Sequence, residues 1–181
     1  MEIVWLSERT IINLRGDAHD PKLARGVACA IEVPLPSRGE STSNGHTRLI
    51  WAGPDDWFVI GKPHLADSIS AKLRHELHAV HHAVTDVSGG YQALQMHETS
   101  AYEILGQGCP LDLHHRVFKA GMCASSVFYN ASIWVWRPKE SSGFEVMFRR
   151  SFMGYVQLML ERGQPSACIR KPDKNEMRPA D

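Results

Sequence analysis

Ten imidazoles are the chain's first candidates for chemistry, and four of them crowd the run His75-Glu-Leu-His-Ala-Val-His-His82. A zinc-protease helix sets two imidazoles four residues apart with a glutamate between them. Here the order is H-E-x-H, one residue short. On a helix His75, His78 and His82 share a face roughly opposite Leu73, and that face points to water. The run is therefore expected to bind nickel resin adventitiously rather than a native metal. Asp86, close to Ser88 and Gly89, places a carboxylate at a strand end, where it can serve as a base or as a ligand for a pterin ring. Against that, aspartate beside Ser-Gly-Gly ordinarily bonds local amides at a turn, and no second acid or nucleophile accompanies it. Asp112 with His114 and His115 falls in a connecting segment, 110–118. Cys109 would be a nucleophile at a helix C-terminus, which raises a thiol pKa instead of lowering it, so it reads as a buried free thiol. No G-x-S-x-G, P-loop or G-x-G-x-x-G occurs. On these grounds no catalytic, cofactor-binding or metal-binding residue is assigned.

The elements that would position these groups fall into two similar arms about a central stretch, Val84 to Leu113. In the first arm Ile11 to Arg15 reads as a strand, and Asp20-Pro21 as an N-cap followed by proline at the first helical position. Leu23, Val27, Ala30 and Ile31 then recur at the helical period until Pro34 and Pro36. A polar segment from Ser37 to His46 reads as a mobile loop. Arg48 to Ala52 and Trp57 to Ile60 flank Gly53-Pro54-Asp55-Asp56, a good hairpin turn. A helix from about His64 to Val80 follows, with Leu65, Ile69, Leu73, Leu77 and Val80 as its inward stripe.

The second arm repeats the order. Val84, Asp86 and Ser88 alternate up to Gly89-Gly90, and Ala93 to Met96 make a strand. Ser100 with Glu103 reads as a capping box opening a helix that Gly106 and Gly108 close, with Pro110 beyond. One long strand region spans Cys123 to Arg137, 138–143 turns, Phe144 to Phe148 returns, and Phe152, Val156, Met159 and Leu160 form a last helical face. Trp51 and Trp136 lie 85 residues apart, and Ile12 to Leu14 and Gln92 to Leu94 about 80 apart. The expected fold class is α+β: two pseudo-symmetric β-α-β-β-α repeats, about 10–80 and 84–162, in one domain over 1–163. A polar, flexible tail is expected over 164–181.

Balanced charge, 20 basic against 20 acidic residues with a pI near 7.2, excludes the footprint of a nucleic-acid binder or a polybasic membrane patch. The N-terminus has no basic start or cleavage site, and no apolar run approaches the roughly 20 residues a membrane helix needs, so a cytoplasmic location is expected. Cys29, Cys109, Cys123 and Cys168 form no C-x-x-C pair, which signals neither a disulfide framework nor a zinc knuckle. Trp51, Trp57, Trp134 and Trp136 lie in expected hairpins, as core residues or, near Met147, Arg149, Arg150 and Met153, as interface anchors.

Five phrases, Ile12-Asn-Leu-Arg-Gly-Asp17, Leu49-Ile-Trp-Ala-Gly-Pro-Asp-Asp-Trp57, Val84-Thr-Asp-Val-Ser88, Gly108-Cys-Pro-Leu-Asp-Leu113 and Arg150-Ser-Phe152, give the chain its family likeness. Over about residues 10 to 162 it resembles the gamma subunit of heterotetrameric sarcosine oxidase. The resemblance implies the folate-binding-domain fold of glycine-cleavage T-protein and a noncatalytic accessory role. It also implies alpha, beta and delta subunits as partners, in a complex that oxidatively demethylates sarcosine to glycine. FAD, FMN, NAD and tetrahydrofolate are then expected on the partner subunits and none on this chain. The K-G-C-Y-x-G-Q-E signature of the iron-sulfur maturation branch of this fold is missing, Gly106-Gln-Gly-Cys109 being only superficially similar. The alternative is a stand-alone folate-dependent aminomethyltransferase-like one-carbon protein, for which Asp86 is the least poor catalytic candidate. A binding module on the same fold is a third reading.

Overall fold

A computed structural model describes residues 2–6, 8–163 and 168–170. By its internal contacts the chain divides into two compact units. The first holds Glu8–Tyr91 with Gly121–Ala124; the second draws its described residues from 2–6, 92–120, 125–163 and 168–170.

In the first unit β2 (Thr10–Gly16), α1 (Pro21–Ile31), β3 (Ser41–Ser43), β4 (Arg48–Gly53), β5 (Asp56–Gly61), α2 (Ala66–Glu76) and β6 (His82–Asp86) follow one another, after β1 (Glu2–Leu6), which belongs to the second unit. The five strands form a sheet in the order β3-β4-β5-β2-β6. Asp20 caps α1 as expected, its carboxylate accepting from the Lys22 N–H at 2.8 Å, with Pro21 next. The helix ends where Glu32 turns left-handed (φ 56°) and donates to the Ala28 carbonyl at 3.0 Å. Leu23, Val27, Ala30 and Ile31 of α1 join Ile69, Leu73 and Leu77 over Ile12, Leu14, Leu49, Trp57 and Val59 of the sheet in one buried core. Gly26 lets the helices come close, since a Cβ there would lie 2.6 Å from Leu77 Cδ2. The 48–61 hairpin turns at Pro54-Asp55 as the sequence predicts, with Trp51 opposite Trp57.

Two local expectations change. The 37–46 loop contains β3, paired with β4 from Ser41↔Ile50 to Ser43↔Arg48, and its Asn44 side chain accepts from the N–H groups of His46 and Thr47 at 3.0 and 2.9 Å. Helix α2 is shorter than 64–80. At its start His64 has φ 61° and the Leu65 N–H goes to the Thr10 hydroxyl at 3.0 Å; at its end Val80 donates back to Leu77 in a turn. Gly89-Gly90 do mark a break in pairing, as the sequence suggests: they belong to a 3₁₀ turn, Ser88–Gly90, between two strands.

The second unit follows the same order with β7 (Tyr91–Met96), α3 (Glu98–Leu105), β8 (Cys123–Phe128), β9 (Ala131–Trp136), β10 (Phe144–Arg149), α4 (Met153–Gly163) and β11 (Cys168–Arg170). Its sheet order is β11-β1-β7-β10-β9-β8. The region read as one long strand is thus a pair, β8 and β9, turning at Tyr129-Asn130 with Tyr129 at φ 51°. The repeat seen in the sequence is present, and each copy carries a third strand between its helices. Phe144, Val146, Met147 and Phe148 of β10 are all buried, the mark of a strand covered on both faces. Val156 and Leu160 give α4 its inward side. Of the 164–181 tail, 168–170 form β11 and the remainder lies outside the described residues.

The capping box is not formed. Helix α3 starts at Glu98, with His97 as the cap, and Ser100 lies inside the helix, its hydroxyl buried and without a hydrogen-bond partner.

Candidate functional site

Asp86 closes β6 and its carboxylate is spent locally. It accepts the Ser88 N–H at 2.9 Å and the Ser88 hydroxyl at 2.5 Å, while Ser88 Oγ accepts the Ile11 N–H at 2.9 Å. This turn fastens the end of β6 to β2, which is the local reading of the sequence, and both bonds fall on Oδ1 of an exposed carboxylate. Asp112 behaves alike, accepting the His114 N–H at 2.9 Å.

His75, His78 and His82 do not share a helical face, because α2 ends at Glu76 and only His75 lies on it. His78 Nδ1 lies 2.8 Å from the His75 carbonyl and His82 Nδ1 2.8 Å from that of Val80, so each ring is held by local backbone. Among the described residues no three His, Cys, Asp or Glu side chains are grouped to hold a metal ion. Cys109 is a buried thiol just past α3, 3.5 Å from Ser126 Oγ. Cys123 is buried as well and donates to the carbonyls of Glu40 and Trp51 at 3.0 and 3.4 Å; burial pushes its thiol up to about 11. A thiol so held is not a nucleophile near neutral pH.

Among the aromatics and methionines read as anchors, Trp57, Trp136 and Met147 are core residues, and Trp57 Nε1 donates to the Pro36 carbonyl at 3.2 Å. Trp51 and Trp134 are half-buried, Arg149 and Arg150 exposed. Arg38 lies over the Trp51 ring at 6.0 Å.

One polar cluster brings Arg137 to a pair on α3 that lies far from it in sequence. Glu98 in the first turn of α3 accepts from Tyr102, one turn on, at 2.5 Å and from Arg137 Nη2 at 2.8 Å. Arg137 also donates to the Phe118 carbonyl at 3.3 Å and lies 5.5 Å over the Phe144 ring. Tyr102 stacks on His114, which leans on His115 with ring centroids 4.2 Å apart. The Tyr102 hydrogen bond is the main cause of a Glu98 carboxyl held below its ordinary value, with the charges of Arg137 and His115 adding to it against burial. Burial, then the bond to Glu98, raises the Tyr102 phenol. The carboxylate is thereby a weaker base and the phenol a weaker acid, the reverse of what proton transfer near neutral pH requires. The cluster clasps the 113–118 segment to α3 and β9. Glu98 and Tyr102, four apart, give a weak helical signal; Arg137, 39 residues away, gives none.

Set against known proteins, residues 15–166 match the model of the sarcosine oxidase, gamma subunit family. The chain belongs to that family. Within it, the chain is 30% identical over 130 residues to the sarcosine oxidase subunit gamma of Corynebacterium sp. strain U-96, a stretch covering 70% of this chain and 61% of the relative. With the strain P-1 subunit it shares 30% over 106 residues, 59% of this chain and 51% of the relative. The match thus spans less than two thirds of either relative's length. Among solved structures, a chain of the heterotetrameric sarcosine oxidase from Corynebacterium sp. U-96 superposes with a TM-score of 0.80 at 24% identity, covering 89% of this chain and 82% of that one. The glycine cleavage system aminomethyltransferase T of Bartonella henselae gives 0.68 at 12% identity over 93% of this chain and 47% of that one. Both likenesses establish the fold, that of the T-protein relatives. Among the described residues no helix is long and apolar enough to cross a membrane.

Proposed function

We propose that this chain is the accessory gamma subunit of a heterotetrameric sarcosine oxidase, which oxidatively demethylates sarcosine to glycine in the cytoplasm. Its partners are the alpha, beta and delta subunits, and neither nucleic acid nor membrane is among them. FAD, FMN, NAD and tetrahydrofolate sit on those partners, and this chain supplies no catalytic residue. The observation that carries the reading is the family match across 15–166, which spans both repeats. The local engagement of Asp86, Asp112 and the histidines supports it, because the polar groups nominated for chemistry hold turns instead.

Co-expression with the other three subunits tests the assignment. The chain is expected to co-purify with them in one complex of fixed stoichiometry, and purified alone to be colourless and to take up neither flavin nor folate on titration. Failure to co-purify, or a stoichiometric chromophore on the isolated chain, overturns it.

A further inference from the structure

The connection from β3 to β4 holds the sequence's one Asn-Gly pair, Asn44-Gly45, and both residues are exposed. An asparagine side chain is an amide electrophile, and the backbone nitrogen of the next residue is its nearest nucleophile; their bond closes a five-membered imide ring. A side chain on that next residue crowds the attack, and glycine has none. Gly45 sits at φ 87°, and no atom beyond its chain neighbours lies within 4 Å of where a Cβ would stand.

Three hydrogen bonds set the reacting atoms. Asn44 Oδ1 accepts the N–H groups of His46 and Thr47 at 3.0 and 2.9 Å, which folds the side chain over the peptide that follows it. Both donors therefore face the oxygen on which negative charge develops when a nitrogen adds to Cγ, the arrangement that stabilises such an adduct. The Gly45 N–H belongs to no strand ladder: it donates to the Ser43 hydroxyl at 3.0 Å in an exposed bond, so its proton leaves to water without breaking a backbone pair.

We propose that Asn44 is a site of hydrolytic self-modification, its carboxamide becoming a carboxylate through an imide with Gly45, and that the conversion releases the loop from α1. Gly45 N bonds to Asn44 Cγ, and Nδ2 departs with the displaced proton as ammonia. Water then opens the ring at either carbonyl to give aspartate or isoaspartate, with nothing oxidised or reduced. The departing nitrogen is the atom that ties the loop down, since Asn44 Nδ2 donates to the carbonyl of Ile31, the last residue of α1, at 3.2 Å. A carboxylate there sets oxygen against oxygen and a negative charge against the negative end of the helix dipole. Isoaspartate, with an extra backbone carbon, misplaces the turn as well.

The full native chain, the same chain in urea and a Gly45→Ala chain are incubated side by side at mildly alkaline pH. Tryptic peptides are followed by mass spectrometry, with methyltransferase labelling of isoaspartate. In the native chain Asn44 is expected to convert to both products while Asn13 and Asn130 stay intact. Gly45→Ala slows the conversion by at least about tenfold, because a Cβ obstructs the attack. Asn44→Asp, one product made directly, is expected to melt about 2 to 4 °C below the wild-type chain. An Asn44 that stays intact in the native chain while converting in urea is protected by the fold, and that result overturns the proposal. Equal conversion at Asn13 or Asn130 overturns it too, and an Asn44→Asp chain that melts with the wild type overturns the release of the loop. The comparison of native chain with urea decides even where Gly45→Ala fails to fold.

Discussion

Arg137 and Tyr102 converge on one oxygen of Glu98, at 2.8 and 2.5 Å, joining the end of β9 to the first turn of α3. Because the folded carboxyl titrates below its ordinary value of 4.5, the unfolded chain binds a proton that the folded chain does not in the interval between the two. Stability from this group is therefore complete above 4.5 and lost as the pH falls through the lowered folded value. Both side chains are partly exposed, 14% for Arg137 and 27% for Glu98, so solvent screens the pair and Glu98→Gln is expected to cost about 1 kcal/mol at neutral pH. Melts of both proteins across pH 3 to 7, in roughly half-unit steps, should show a constant gap at the upper end that closes in the acid limb. A gap that widens on acidification would mean that the carboxylate is not stabilised by this contact.

Ser100 separates two accounts of the same helix. As a capping residue its loss would cost about 1 kcal/mol. Inside α3, with a buried hydroxyl that has no partner, its replacement by alanine removes an unsatisfied polar group and improves helix propensity. Ser100→Ala is accordingly expected to leave the melting temperature unchanged or raise it, by up to about 1 kcal/mol of stability. A clear drop in denaturant midpoint would contradict the observed helix start.

The misplaced start shows what the sequence can and cannot reveal. Signals carried by neighbouring residues survive into the structure: Asp20-Pro21 opens a helix, Pro54-Asp55 turns a hairpin, and the stripe of Leu23, Val27 and Ile31 is buried. The spacing of Trp51 and Trp136 falls in corresponding strands, β4 and β9, as does that of Ile12 and Gln92 in β2 and β7. Features set by distant partners leave no local mark. Strand β3 hides in a polar run because its pairing with β4 is what makes it a strand. The turn between β8 and β9 has neither glycine nor proline, and Tyr129 is a residue rarely asked to take φ 51°. The polar clasp depends on Arg137, which only the folded sheet brings to Glu98. For Asp86 and Asp112 the opposite holds, since an aspartate bonding the N–H two residues on is a local event.

Gly108 explains how Tyr129 keeps its conformation. The Gly108 carbonyl accepts the Tyr129 N–H at 2.7 Å, and a Cβ on Gly108 would come within 2.6 Å of the tyrosine ring. Gly108→Ala is therefore expected to destabilise the chain by about 1 to 3 kcal/mol through overpacking. In a Tyr129→Gly background, where the ring is gone and the positive φ is relieved, most of that penalty should vanish. Denaturant unfolding of the four proteins of this cycle measures the coupling, and additive effects would show that the ring does not rest on Gly108.

The polar residues nominated from the sequence make the sharpest test of a noncatalytic chain. Asp86→Asn keeps an oxygen that can still accept the Ser88 N–H, so the turn persists while the charge is lost. Cys109→Ser exchanges a buried thiol for a hydroxyl beside Ser126, and His115→Ala trims an exposed ring beside His114. Each change leaves the local backbone its partners, so a loss of turnover could not be blamed on misfolding. Removing a working acid, base or nucleophile lowers turnover by at least about a hundredfold. In a complex purified by gel filtration and normalised to assembled protein, all three variants are expected to retain sarcosine turnover within about twofold, well under that limit. A hundredfold loss in any one of them, with assembly intact, would assign that residue to the chemistry and replace the accessory reading with an enzymatic one.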